Sequence, residues 1–358
     1  MTFELSRRDL LQSLLAGAAL GTVGATRAAH AAETIGWMTW ENLAKDDYLA
    51  EFLKSGASID KTFIGTDDEQ FAKLRAGGAS SVDLITPGLD KVEFYVASNL
   101  LQPIDLAKVP NAALLYDTFK STKLGKKDGK TYGIPFYWGI NPIVYRADLM
   151  DAEPDWSVFF EGEKYKGKLA MRDYALEGIM IAAMYLGIPK DKMFDLDDKQ
   201  LAEVKKALMA QKKLLRTYWS SIGDLTNLFA TGEVVCAFSW VPPYYDLSAR
   251  GLKMGMAKPK AGVIGWCDTI AVPAGVSGAK LDATLKLVDY LLGPVYGEKL
   301  AYGGPYAQST SATRDKLPIA QQEKIFIKDL SVMDNFVWKA NPPRYTEWVA
   351  LWNEVKAS

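Results

Sequence analysis

Histidine is almost missing from this chain: the single one, His30, lies close to the N-terminus. Beyond it there is no imidazole, which excludes Ser-His-Asp and Cys-His catalysis and every histidine-ligated metal centre. Cysteine is nearly as scarce. Cys236 and Cys267 could pair in an oxidising compartment or be two small buried residues that never meet, but two cysteines make no disulfide framework. Net charge is also lacking, with 42 basic against 43 acidic side chains, so bulk electrostatics do not point to nucleic acid. After the N-terminal segment no run of eighteen apolar residues occurs, as a membrane span would require. There is no phosphate-binding glycine loop, no dinucleotide fingerprint, no G-x-S-x-G and no H-E-x-x-H. Carboxylates are plentiful, but none are spaced in a way that singles out a glycosidase pair.

What is there begins with an address. Arg7 and Arg8 precede an apolar stretch, Leu10 to Ala25, which is interrupted by Gln12, Ser13 and three glycines; Ala29-His30-Ala31 then offers a small-x-small cleavage site. A charged start, a modest apolar middle and such a site read as a removable export signal over 1–31, and the paired arginines favour the twin-arginine (Tat) route. Its removal leaves 39 basic and 41 acidic residues, a formal net charge of −2. The mature chain is longer than one ordinary core needs, so two domains are expected.

Short apolar strands alternate with helices. Strands are expected near Thr34–Met38, Val82–Ile85, Val234–Phe238 and Thr269–Pro273. Helices are expected from Asp46, over Gln70–Ala76, from Asp197 through Leu215, along the stripe Leu281, Leu285, Val288 and Leu292, and over Tyr345–Val355. This pattern argues for an α/β fold with mostly parallel sheets. The irregular, proline-bearing passage Tyr132–Tyr145 and the stretch Gly262–Asp268 read as crossings between two lobes. Lobe 1 is expected to comprise 32–139 and 267–312, and lobe 2 140–266 and 313–358. Crossings of this kind form a hinge, and the cleft between lobes is where a ligand sits.

Aromatic residues stand beside acids at the ends of these elements. Trp40-Glu41 follows the first strand, Asp173 and Glu177 flank Tyr174, Trp240 ends a strand, Trp266 and Asp268 lie at the second crossing, and Tyr306 sits in a Gly/Pro loop. Such pairs suit a protonated amine. A ring face attracts the cation by ~0.5–2 kcal/mol per contact, and a carboxylate adds a charge-assisted hydrogen bond. Each residue also has a plain structural reading, as packing or as a helix or turn cap.

The stretches Glu69–Gly78, Val82–Pro87, Leu100–Asp105, Tyr132–Gly139, Lys166–Leu169, Gly232–Val234 and above all Gly265–Pro273 resemble bacterial spermidine/putrescine-binding proteins. The resemblance implies a two-lobed periplasmic-binding fold (type II-like) that closes on its ligand and delivers it to an inner-membrane ABC permease. It implies ligand contacts from Trp40, Glu177, Trp240, Trp266, Asp268 and Tyr306. The sequence departs from the family pattern in three places. Tyr174 replaces an acid, Gly88 and Asp90 replace a small and an aromatic residue, and Lys339 replaces a late glutamine and would repel a cation if it faced the cleft. These departures weigh against spermidine itself and leave room for putrescine, another amine or an unrelated small solute. The expectation is thus a monomeric, periplasmic polyamine-type binding protein without cofactor or metal. Its candidate contacts are Trp40, Glu41, Asp90, Asp173, Glu177, Trp240, Trp266, Asp268 and Tyr306. Two alternatives stay open: ferric-iron capture by Tyr244 and Tyr245, and a Tat-exported periplasmic enzyme.

Overall fold

The structure is a computed structural model that describes residues 33–77, 82–304 and 306–358; the expected signal segment lies outside them. Fifteen strands run through the described residues. In chain order they are β1 (Thr34–Thr39), β2 (Ser58–Phe63), β3 (Leu84–Ile85), β4 (Leu101–Gln102), β5 (Lys126–Lys127), β6 (Lys130–Thr131), β7 (Gly133–Asn141), β8 (Ile143–Arg146), β9 (Leu169–Arg172), β10 (Leu215–Trp219), β11 (Cys236–Phe238), β12 (Met254–Ala257), β13 (Val263–Pro273), β14 (Ala307–Gln308) and β15 (Phe336–Trp338).

They form two main sheets. The first has the order β14-β7-β13-β3-β1-β2, with β4 and β15 also paired to β13; the second has the order β10-β9-β11-β8-β12. β1 lies between β2 and β3, parallel to both, and all but one of its side chains are buried, as expected of a strand covered on both faces. The expectation of mostly parallel sheets needs correcting, because both are mixed. β13 runs antiparallel to β7, β3 and β4, and β8 runs antiparallel to β11 and β12. β8 follows β7, and β13 follows β12, from one sheet into the other without a crossover helix to return the direction, so β8 and β13 oppose the parallel strands of the sheets they enter.

The chain leaves the first sheet at Asn141, passes Pro142 and enters the second sheet at Ile143; it returns between Ala257 and Val263. The crossings expected as irregular passages are therefore the ends of regular strands. β15, within the C-terminal segment expected in the second lobe, pairs with the start of β13 in the first sheet.

Each sheet has its own core. One packs Trp37, Phe136, Trp138 and Tyr296; the other packs Trp156, Phe159, Phe238 and Trp348. The helix Ala175–Tyr185 buries ten of its eleven residues, so it shows no polar face and lies inside the second core. Gly178 makes this possible: a Cβ there would stand 2.2 Å from the Trp352 ring of the helix Tyr345–Ala357. Asp197 caps the next helix in a capping box with Gln200. That helix ends at Lys212, and Leu215, expected as its last turn, instead opens β10, because pairing with β9 outweighs the helical period. Among the described residues no helix is long and apolar enough to cross a membrane.

Candidate functional site

A cleft of about 440 Å³ lies where the crossing strands meet, lined from both sheets and their loops. The first sheet's side contributes Trp40, Asp67, Tyr137, Trp266, Asp268 and Tyr306. From the other side come Arg172, Ile222, Trp240 and Pro242, with Asn141 and Lys339 beside the crossings.

The long pairing of β7 with β13 sets the acidic wall. Asp268 lies opposite Tyr137 in that register, and the Tyr137 hydroxyl donates to Asp268 Oδ2 over 2.7 Å. The rings of Tyr137, Trp266 and Tyr306 meet edge to face, with centroids 5.2 to 5.8 Å apart, on the same cleft as the carboxylate. Trp266 packs closely because Gly139 faces it across the strand pair: a Cβ there would come within 2.6 Å of the indole. Burial, and after it the charge of Asp67, push the Asp268 carboxyl up to about 7, against the pull of Tyr137 and Lys339. Asp67 itself is raised by burial and by Asp90, while it accepts the Gly88 backbone N–H over 3.0 Å. Tyr306 is pushed up to about 12, by burial first and then by Asp268.

The opposite wall is cationic. Arg172 ends β9, and its guanidinium lies 4.5 Å from the Trp240 ring centroid and 4.9 Å from that of Tyr174. Its Nη1 donates to both oxygens of Glu177, over 3.2 and 3.0 Å. Lys339 Nζ stands 3.9 Å from Glu177 Oε1 and 5.9 Å from the Tyr174 ring. Burial opposes its charge, but Asp90, Glu177 and Asp67 together carry the ammonium above its ordinary pKa.

Among the sequence candidates, the structure brings Trp40, Trp240, Trp266, Asp268 and Tyr306 together on the cleft. The other four lie elsewhere. Glu41 is exposed at the start of the 3-10 turn Glu41–Leu43, where Trp40 and Asn42, and not Glu41, line the cleft. Asp173 is turned away and accepts Trp352 Nε1 (2.9 Å) and Lys356 Nζ (2.8 Å). Glu177 is fully buried behind Arg172, where Asn141 Nδ2 also donates to it over 2.8 Å, so the protein itself neutralises the acid expected to meet the ligand. Asp90 is buried in a smaller adjoining cavity, of about 190 Å³, with Cys267, Trp338 and Lys339, and Lys91 Nζ stands 3.7 Å from its Oδ2.

Sequence reading missed Asp67, Tyr137 and Arg172. Asp67 was hidden by starting its helix at Gln70; the helix begins at Asp67, with Thr66 Oγ1 capping Glu69 N. The signal for Arg172 was a lone cation closing a buried strand, at the carboxyl end of a parallel strand, where α/β sheets place their ligands.

The tyrosine pair expected for iron does not line the cleft. The Tyr245 hydroxyl donates to the Lys324 carbonyl over 2.6 Å, and burial pushes its phenol up to about 12. Among the described residues no group of three or more Cys, Asp or Glu is placed to hold a metal ion. Cys236 and Cys267 are both buried and unpaired, in different sheets.

Comparison with known proteins agrees with this architecture. A family described as bacterial extracellular solute-binding protein matches residues 47–326. The spermidine/putrescine-binding periplasmic protein of Escherichia coli (strain K12) is 26% identical over 319 residues, covering 87% of this chain and 88% of that protein. A putrescine/cadaverine-binding protein of Pseudomonas aeruginosa is 25% identical over 299 residues, covering 79% of each. The solved structure of a spermidine/putrescine ABC transporter substrate-binding protein from Streptococcus pneumoniae superposes with a TM-score of 0.77 at 17% identity, covering 91% of this chain and 98% of that one. The likeness in structure establishes the two-lobed α/β binding-protein fold.

Proposed function

Since the chain belongs to the bacterial extracellular solute-binding proteins, we propose that it is the solute-capturing component of an ABC importer and holds a small amine in the cleft between its lobes. The observation that carries this reading is the Asp268 carboxylate, only 8% exposed and hydrogen-bonded by Tyr137, with Trp266, Tyr306 and Trp40 on the same cleft. An incoming ammonium displaces the proton of that carboxyl, donates a charge-assisted hydrogen bond to the resulting carboxylate and rests its methylenes on the rings. The polyamine specificities named for the E. coli and P. aeruginosa relatives support an amine as the solute.

In this reading the lobes are 32–139 with 267–312 and 140–266 with 313–358. The strand ends around Asn141–Ile143 and at the start of β13 serve as the hinge. A solute that touches both walls binds the closed arrangement better than the open one, and that difference drives closure. The closed monomer then docks on an inner-membrane permease. Export to the periplasm by the twin-arginine signal, with cleavage after Ala31, completes the assignment, and the protein is no enzyme.

The test is a thermal-shift screen of the mature protein against diamines, polyamines and amino acids, followed by calorimetry on the best ligand. A tight solute at a hundred times its Kd adds about 2.7 kcal/mol of apparent stability. Asp268→Asn is expected to weaken an amine by ~2–4 kcal/mol. An amine-free solute as the best ligand, or an unaltered Kd in the variant, would overturn the reading.

A further inference from the structure

We propose that the solute is a zwitterion of the ω-amino acid class, with its ammonium on Asp268 and its carboxylate received by Arg172 and Lys339. The ammonium half rests on the reading above; the carboxylate half rests on the other wall. A diamine needs an acid and an uncovered ring at each end. At the second end the acid is Glu177, which is fully buried and already engaged by Arg172 and Asn141. The ring is Trp240, whose cation is already present as the Arg172 guanidinium, 4.5 Å away. A second ammonium there would meet two fixed positive charges, and the acids near them, Asp90, Glu177 and Asp67, already act on Lys339 while Glu177 also holds Arg172.

The unused hydrogen-bonding capacity points the same way. Arg172 donates Nη1 to Glu177, and among the described residues no acceptor meets its Nε or Nη2. These two groups form the planar edge of a guanidinium that matches a carboxylate with two parallel bonds. Lys339 Nζ has no hydrogen-bond acceptor among the described residues, and its closest carboxylate oxygen stands 3.9 Å away. The cationic wall thus presents donors that lack acceptors, and the opposite wall presents Asp268 and Asp67 with raised pKa values. The helix Ile222–Thr231 begins at the cationic wall, with Ile222 on the cleft, and adds the partial positive charge of its first turn.

The experiment is calorimetry of the mature protein with pairs of matched length: 4-aminobutanoate against 1,4-diaminobutane, 5-aminopentanoate against 1,5-diaminopentane, and the three- and six-carbon pairs. At least one amino acid is expected to bind about tenfold or more tightly than its diamine, the scale of one hydrogen bond to a charged group. Lys339→Gln and Arg172→Gln should each weaken that amino acid by about tenfold or more while leaving the diamine unchanged or improved. Lys339→Gln keeps the test open should loss of Arg172 beside buried Glu177 prevent folding. Diamines binding better than every amino acid, or an amino-acid affinity indifferent to Lys339→Gln, would overturn the carboxylate assignment and leave the amine reading standing. Failure of both classes to bind would overturn both.

Discussion

Asp268 makes amine capture sensitive to pH in a direction that can be worked out. In the empty cleft its carboxyl is raised from an ordinary 3.8 to about 7. The groups facing it are Tyr137, which donates to it, the acids Asp67 and Asp90, which hold it up, and Lys339, which draws it down. An ammonium binds the ionised form, so below pH 7 each bound amine must expel a proton. Affinity should fall about tenfold for each unit of pH, and at pH 5 it should stand about a hundredfold below its plateau above pH 8. Calorimetry in two buffers of different ionisation enthalpy, from pH 5 to 8.5, reads both the affinity and the proton count, expected to be about one proton released at pH 5.5. The stability of the empty protein moves the other way. Between the ordinary carboxylate range and pH 7 the Asp268 carboxyl holds more protons in the folded state than in the unfolded one, so its contribution falls as pH rises through that window, and the raised Asp67 acts in the same direction. Melting of the wild type against Asp268→Asn isolates this. An affinity flat from pH 5 to 8 with no proton release would refute the reasoning.

Other outcomes follow from particular contacts. Gly139→Ala places a Cβ 2.6 Å from the Trp266 indole, so it should cost ~1–3 kcal/mol of stability and weaken the amine, with Trp266 fluorescence altered. An unchanged Kd would remove Trp266 from the site. Asp173→Ala strips acceptors from buried Trp352 and from Lys356, and should lower stability by ~1–2 kcal/mol with no change in affinity; a large affinity loss would return Asp173 to the cleft. Burial raises both thiols well above the ordinary range, so Cys236 and Cys267 should resist a thiol reagent in the native state and both react once the protein is unfolded. Fast labelling of the native protein would contradict their placement.

Elements with a clear period or punctuation were legible. The helix Asp46–Leu53 and the stripe that ends at Gly293-Pro294 stand where the pattern puts them. Strand direction was not legible, because a buried apolar run looks the same in a parallel or an antiparallel pair, and β13 is both. In the site, Trp40, Trp240, Trp266, Tyr306 and Asp268 were legible; Tyr137, Asp67 and Arg172 were not. Trp266 and Asp268 share a strand two residues apart, so one face carries both. The difference between Asp173, turned to the C-terminal helix, and Arg172, turned to the cleft, is one residue of register, and the neighbour that settles it, Trp352, is far away in sequence. The charge of Glu177 could not be judged without Arg172 and Lys339, which only the fold brings to it.

The most direct measurement is a crystal structure of the mature protein soaked with the tightest solute from the screen. The account predicts density in the cleft, with a nitrogen in hydrogen-bond contact with Asp268 and the chain laid against Trp266 and Tyr306. A solute seated on another surface, or one turning an oxyanion toward Asp268, would contradict it.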